Sequence, residues 1–300
     1  MTRNLKVAHS YLKFLRTQFR NKSKLTVSDQ YTTYSLVNAL FPDLTERELS
    51  RDWINEFDKR LHDRGFAPNT IWKHHKNMKV YVNYLLVMDA FPRSPYIGFE
   101  TKQYQGVKIV VTEAEIASLE KFDLPPAVKI YRDMFLASFY TLLRKSDVER
   151  LCKDHIQEIN GRKYVKINTK KTGQQVIMPA NDRLIALISR LDPKRYDDTA
   201  LNQSIRMAFQ LAGLNRKIEL MDYVTKNGGL EKVYRQVALC DVVTIHAARR
   251  SGITAMVRAG LPTRSIMFIS GHRTEESLNA YIGVSCQDNA EMLLDHEYFK

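Results

Sequence analysis

Three hundred residues exceed what one hydrophobic core usually serves, so two domains are expected. A composition of 44% apolar and 26% charged residues, with only 12 Gly and 9 Pro, excludes a disordered or collagen-like chain. Lys and Arg outnumber Asp and Glu by 46 to 33, and the resulting charge of +13 is that of a polyanion binder, nucleic acid foremost.

No apolar run approaches the roughly 20 residues that span a bilayer, and Met1 to Arg20 lacks a signal-peptide pattern, so a soluble cytoplasmic protein without membrane contact is expected. Cys152, Cys240 and Cys286 are odd in number and far apart, which argues against a disulfide framework or a zinc site and for small core residues.

The first helix is predicted from Ala8, Tyr11, Leu12, Leu15 and Phe19 at helical spacing, with Lys13, Arg16 and Arg20 on the opposite face. Thr45 with Glu48 forms a capping box that predicts a helix running to about Arg64, stopped by Gly65. Pro68, Asn69 and Thr70 open another, with Ile71, Met78, Val82 and Leu85 buried and Lys73, Lys76 and Asn77 exposed. A helical domain over residues 1–100 follows, then a linker over 101–111 in a stretch punctuated by Pro92, Pro95, Gly98 and Gly106 and carrying Lys102 and Lys108.

Residues 112–300 read as a second domain, mainly α with a small antiparallel sheet. It opens on a capping box at Thr112 and Glu115, and an apolar pattern runs from Ile116 to Phe139. Asn160-Gly161 between apolar alternations predicts a hairpin, and a turn at Lys170 to Gly173 leads into a third strand at Gln175 to Met178. The helical period returns at Asp182, a further hairpin is expected over 218–233 around Asn227-Gly228-Gly229, and the pattern after Val243 is helical.

Taken singly, the reactive side chains in this half prove little. His246 with Arg249 is an ordinary pair on a helix surface, Tyr281 is one of 15 tyrosines, and Asp147 has Lys145 and Arg150 within salt-bridge spacing. Their order is the signal: Arg144 in Thr-Leu-Leu-Arg, Lys171 in a hairpin turn, His246-Ala-Ala-Arg249, Gly271-His272, and Tyr281 nine residues beyond His272.

That order resembles the tyrosine recombinases, or phage integrase family, over nearly the whole chain, and the long insert before His246 is similar to integrases of conjugative transposons. The resemblance implies a SAM-like helical core-binding domain clamping DNA opposite an α+β catalytic domain. It implies no cofactor and no metal, and a homo-tetramer on two duplexes, with accessory DNA-bending proteins as possible partners. The 19 residues after Tyr281 carry Ala290, Met292, Leu293 and Leu294, a tail that docks in cis or on a neighbour. The chain departs from the family at Leu142, where a glycine is usual, and a bulky residue there is expected to avoid positive φ.

The chemistry suits these residues. A phenol that attacks phosphorus keeps the phosphodiester's energy in a covalent bond, but with an ordinary pKa of about 10 it needs nearby positive charge or a base. Arg144 and Arg249 would hold the non-bridging oxygens through bidentate hydrogen bonds, with Arg250 off their face as a DNA contact. Lys171, with Lys170 as rival, would protonate the leaving 5′ oxygen, His246 and His272 would donate to phosphate or move protons, and Asp147 would orient Arg144 or a histidine. Lys13, Arg16, Arg20, Lys73 and Lys76 would track the phosphate backbone. A type IB topoisomerase-like enzyme and a non-catalytic DNA-binding relative are the alternatives. Relaxation of supercoils without a recombination site would mark the first, and absence of a covalent adduct the second.

Overall fold

The computed structural model describes residues 5–299 except 89, 91, 227, 228, 285, 295 and 296, with backbone alone for 225, 226, 229, 286–288, 292 and 299. Phe91 at the expected linker boundary and Asn227-Gly228 of the expected turn lie outside the described residues, as do the side chains of Cys286 and Met292. The chain divides into two compact units. One comprises residues 1–106 and 221–234, the other 107–220 and 235–300.

The N-terminal unit is built on α1 (Val7–Gln18), α2 (Lys24–Leu40), α3 (Arg51–Asp63) and α4 (Pro68–Val87). The buried side of α1 is centred on Tyr11, Phe14 and Leu15, with Ala8 and Leu12 only half-buried, so the expected stripe is rotated toward Phe14. The sequence reading has no α2, because this helix buries Gln30 and Thr33 beside Val37 and Leu40 and so lacks an apolar period. Ser23 caps it by accepting from the Thr26 amide.

The Thr45 capping box is formed, with Thr45 N–H and Oγ1 both donating to Glu48, but it caps only a 3₁₀ turn. Ser50 starts α3 instead, accepting from Trp53 N–H. Asn77, expected in solvent, is buried on α4: it accepts from Gln30 Nε2 and donates to Thr33 Oγ1 and the Asp29 carbonyl. With partners for all its polar atoms, an amide is stable inside.

The second unit is organised around α6 (Pro126–Thr141), which follows α5 (Glu113–Lys121) and buries nearly every residue from Met134 to Phe139. The Thr112–Glu115 capping box starts α5, and α6 leads into the short α7 (Lys145–Val148). Strands β1 (Ile156–Ile159), β2 (Arg162–Asn168) and β3 (Gln175–Pro179) form the expected antiparallel sheet in that order. Positive φ at Asn160 and Gly161, 52° and 70°, makes the tight turn between β1 and β2. Val165, Ile167, Val176 and Met178 put alternate side chains of β2 and β3 into the core.

Helices α8 (Asp182–Ser189) and α9 (Asp198–Leu211) follow, then the antiparallel pair β4 (Lys217–Lys226) and β5 (Gly229–Ala238). The chain continues through α10 (Leu239–Val242), α11 (Ile245–Arg258), α12 (Thr263–Ser270), α13 (Glu275–Asn279) and α14 (Cys286–Leu293). Cys240 is buried, while Cys152 is only partly so, with Sγ 3.4 Å from His155 Nδ1. Among the described residues no helix is long and apolar enough to cross a membrane, and no cluster of His, Cys, Asp and Glu is arranged to hold a metal ion.

Helix α11 presses directly on the end of α6. A Cβ at Gly252 would collide with the Phe139 carbonyl and with the Leu142 side chain, so glycine sets the spacing of the two helices. Leu142 itself adopts φ 55°, ψ 17°, contrary to the expectation that a bulky residue avoids positive φ. Its side chain is fully buried with Ile253, Ile266 and Leu278, and the roughly 1.5–3 kcal/mol of such burial offsets the 1–2 kcal/mol of a left-handed residue.

Candidate active site

Four pieces of the second unit converge on Tyr281: the α6–α7 junction, the β2–β3 turn, the first turns of α11, and the segment from α12 to the residues after α13. Arg249 on α11 is fully buried. It donates to the carbonyls of Leu142, the left-handed residue, and Ser270, the latter at 2.7 Å. Its Nη2 also lies 3.2 Å from His272 Nε2, and its guanidinium carbon is 5.3 Å from the Tyr281 ring centre.

Because a guanidinium only donates, His272 Nε2 must accept from Arg249, which puts the ring proton on Nδ1. Nδ1–H then donates to Ser270 Oγ at 2.8 Å, and Ser270 Oγ–H donates to the Ile266 carbonyl at 2.6 Å. Gly271 at φ 67° ends α12 and turns the chain so that this relay can form. His272 is therefore an acceptor that steadies Arg249, where sequence reasoning expected it to donate to phosphate. Burial first, then Arg249, Arg144 and His246, hold its pKa down to about 3.

The His246 and His272 rings stand 5.0 and 4.7 Å from that of Tyr281. His246 keeps a solvent-facing edge. Desolvation of its ring, followed by Arg250, Arg249, Arg144 and Lys171, lowers its pKa to about 4, so both histidines are neutral at neutral pH. Burial and then Arg144 lower the Arg249 pKa to about 10, opposed by Tyr281. Arg250, expected off this face, has the strongest effect of any cation on His246, because 246 and 250 are one helical turn apart.

Unmatched polar atoms collect here. Among the described residues, Arg144 Nη1, Arg249 Nε and Arg250 Nε are buried donors without a partner, and Asp147 Oδ2 is a buried acceptor without one. Buried donors left unpaired cost free energy unless an anion fills them. Among the described residues the Asp147 carboxylate meets neither Arg144 nor a histidine, which sequence reasoning had it orient, but Arg150, the surface pairing the spacing also offered. Its Oδ1 accepts from the Lys170 amide at 2.7 Å and from Arg150 Nη2 at 2.8 Å. It thereby grips the turn that carries the exposed Lys170 and Lys171 side chains.

Lys108, noted in the sequence only as a linker charge, donates to the Asn279 and Ile282 carbonyls on either side of Tyr281, both at 2.9 Å. Ser270 and Lys108 escaped the sequence reading because their partners are backbone carbonyls or residues distant in sequence. In the N-terminal unit, Arg16 and Arg20 line a groove of about 600 Å³ with Lys22 and Lys24, while Lys13 projects elsewhere from α1 into solvent. Lys73 is paired with Asp29 at 2.5 Å, and the exposed Lys76 sits over the Trp72 ring.

The fold is similar to a lambda integrase tetramer bound to a Holliday junction, with TM-score 0.66 and 10% identity over 93% of this chain and 78% of that one. The Tn1549 transposon integrase in complex with circular intermediate DNA gives 0.66 and 13% over 97% and 100%. The XerH site-specific recombinase bound to difH substrate gives 0.63 and 13% over 97% and 85%. Comparison with curated protein sequences gives no match. Residues 110–287, well over half of the chain and spanning Arg144 to Tyr281, match the phage integrase family, so the chain belongs to that family and is a tyrosine recombinase, a site-specific recombinase by class.

Proposed function

We propose that the chain cuts and rejoins DNA strands at a specific site through a 3′-phosphotyrosyl bond on Tyr281, as the integrase of a mobile element. The observation that carries this reading is the group of buried, unmatched guanidinium donors beside Tyr281. They offer a scissile phosphate the hydrogen bonds that the protein leaves unmade.

In this reading the Tyr281 oxygen attacks phosphorus, the bond from phosphorus to the 5′ oxygen breaks, and Lys171 gives its proton to that oxygen. Neutral His246, packed against the tyrosine ring, accepts the phenol proton. Arg144 and Arg249 neutralise the charge that builds on the non-bridging oxygens, and His272 keeps Arg249 aimed. Rejoining is the reverse, with a 5′ hydroxyl as nucleophile. No step calls on a metal or cofactor.

Lys13, Arg16, Arg20, Lys73, Lys76, Lys170 and Arg250 are proposed to contact the DNA backbone, with Lys73 exchanging Asp29 for phosphate. Domains at 1–100 and 112–300, assembly as a tetramer on two duplexes with DNA-bending proteins as helpers, and a cytoplasmic, nucleoid-associated location complete the proposal. The DNA-bound forms of the lambda, Tn1549 and XerH proteins support the choice of partner.

The test is a covalent trap. A randomised pool of nicked duplexes incubated with the protein should yield an adduct stable to denaturation, and Tyr281→Phe should abolish the adduct while leaving binding to the recovered duplex unchanged. An adduct formed by the Phe variant would move the nucleophile elsewhere.

A further inference from the structure

The turn that carries Lys171 is gripped on both sides of that residue by side chains from different elements. On one side the Lys170 amide donates to Asp147 of α7, and Arg150, bound to the same carboxylate, donates to the Asn168 carbonyl at 2.8 Å. On the other side Arg273 Nη2 donates to the Thr172 carbonyl at 2.9 Å. Inside the turn, the Gly173 amide donates to the Thr169 carbonyl, and the Thr169 and Thr172 hydroxyls meet at 2.8 Å.

The two grips start beside groups of the proposed site. Asp147 is one helical turn from Arg144, and Arg273 follows His272 directly in the chain. The exposed Arg273 has no oppositely charged partner among the ion pairs of the described residues, and its one hydrogen bond there ends on the carbonyl of Thr172, the residue after Lys171. A lysine side chain has four rotatable bonds, so holding the backbone at residues 170 and 172 on either side of it narrows the volume its ammonium explores.

We propose that Arg273 is a positioning residue for the recombination step: through the Thr172 carbonyl it ties the Lys171 turn to the His272–Tyr281 segment, so that proton delivery to the 5′ oxygen is registered with the tyrosine's attack. The inference rests on the reading of Lys171 as general acid. When the bond from phosphorus to the 5′ oxygen breaks, the Lys171 ammonium loses a proton and the departing oxygen gains it. A leaving sulfur in place of that oxygen departs as thiolate and needs no proton, because a thiol is far more acidic than an alcohol. Any defect that lies in delivering the proton therefore disappears on the sulfur substrate.

The experiment compares cleavage of the duplex recovered from the randomised pool, made with either oxygen or sulfur at the 5′ bridging position of the scissile phosphate. Wild type, Lys171→Ala and Arg273→Ala are measured at saturating protein. Arg273→Ala is expected to cut the oxygen substrate about tenfold more slowly than wild type, the equivalent of about 1.4 kcal/mol, and to cut the sulfur substrate at the wild-type rate. Lys171→Ala should show a larger defect with the same rescue.

A defect of Arg273→Ala that persists on the sulfur substrate, or no defect at all, overturns the inference and leaves the general-acid reading intact. A defect of Lys171→Ala that persists on sulfur overturns that reading and the inference with it. Arg273 is exposed, so the variant is expected to fold, and an unchanged melting temperature verifies this.

Discussion

The buried polar groups between α1, α2 and α4 and those around Tyr281 follow opposite rules. Between α1, α2 and α4, Tyr11 donates to Gln30, Gln30 to Asn77, Asn77 to Thr33, and Thr33 meets His74 Nδ1 at 2.9 Å. That chain is closed. Around Tyr281 the buried groups include three guanidiniums, and among the described residues one N–H donor of each of Arg144, Arg249 and Arg250 has no partner. A satisfied network specifies how helices pack, whereas an unsatisfied set of like charges costs stability and is retained where a ligand of opposite charge completes it.

The sharpest way to break this contrast is to neutralise Arg249. Arg249→Met should slow strand cleavage by about 10²–10³-fold and lower the melting temperature less than Asn77→Ala does, since the desolvated charge it removes offsets the loss of its bonds to the Leu142 and Ser270 carbonyls. A variant that melts below Asn77→Ala would make Arg249 a structural residue and erase the distinction.

The converse substitution, Asn77→Ala, strands Gln30, Thr33 and the Asp29 carbonyl. It should cost about 2–4 kcal/mol in chemical denaturation yet leave the rate per folded molecule unchanged. Loss of cleavage without loss of stability would show that the network serves the reaction directly.

Acid tests both regions at once. His272 titrates near 3, and His246 and His74 near 4, each lowered chiefly by burial, against about 6.5 in an unfolded chain. Between those values the unfolded chain binds more protons, so these groups contribute fully above about pH 6.5 and their contribution is lost as the pH falls toward 4 and 3. Equilibrium unfolding followed from about pH 7 to 4 should lose a few kcal/mol, and His272→Gln should make the loss shallower. The same slope in wild type and variant would remove His272 from the account.

The smallest effect concerns the surface. Arg20→Ala or Lys76→Ala should weaken DNA binding modestly, and each should lower the slope of log affinity against log salt by about 0.9 if the side chain meets a phosphate. An unchanged slope would return that cation to ordinary solvated surface, unlike the pocket cations.

What could be read in advance follows the range of each interaction. Capping at Thr112 and the Asn160-Gly161 turn depend on neighbours within a few residues, and so does the alternation of β2 and β3. Helix α2 was invisible because its buried side is Gln30 and Thr33, which become core residues only when Asn77 and Tyr11 arrive from elsewhere. The pairing of Asp147 with Arg150 was legible in their spacing, but its hold on the Lys170 amide was not, since nothing in the spacing of 147 and 170 distinguishes that amide from Arg144. Leu142 inverted the expectation for the same reason: local sterics oppose positive φ, and a cluster formed by α11, α12 and α13 overrides them.

The basic charge, the helical and hairpin signals, and the order Arg144, Lys171, His246, Arg249, His272, Tyr281 are written in residue type and spacing alone. It took the folded chain to decide that His272 Nε2 accepts from Arg249 and that Lys108, Asp147 and Arg273 hold the backbone around the reactive side chains. Those are contacts between residues tens to more than a hundred positions apart, or choices of tautomer made by a neighbour's donors, and neither exists until the chain has folded.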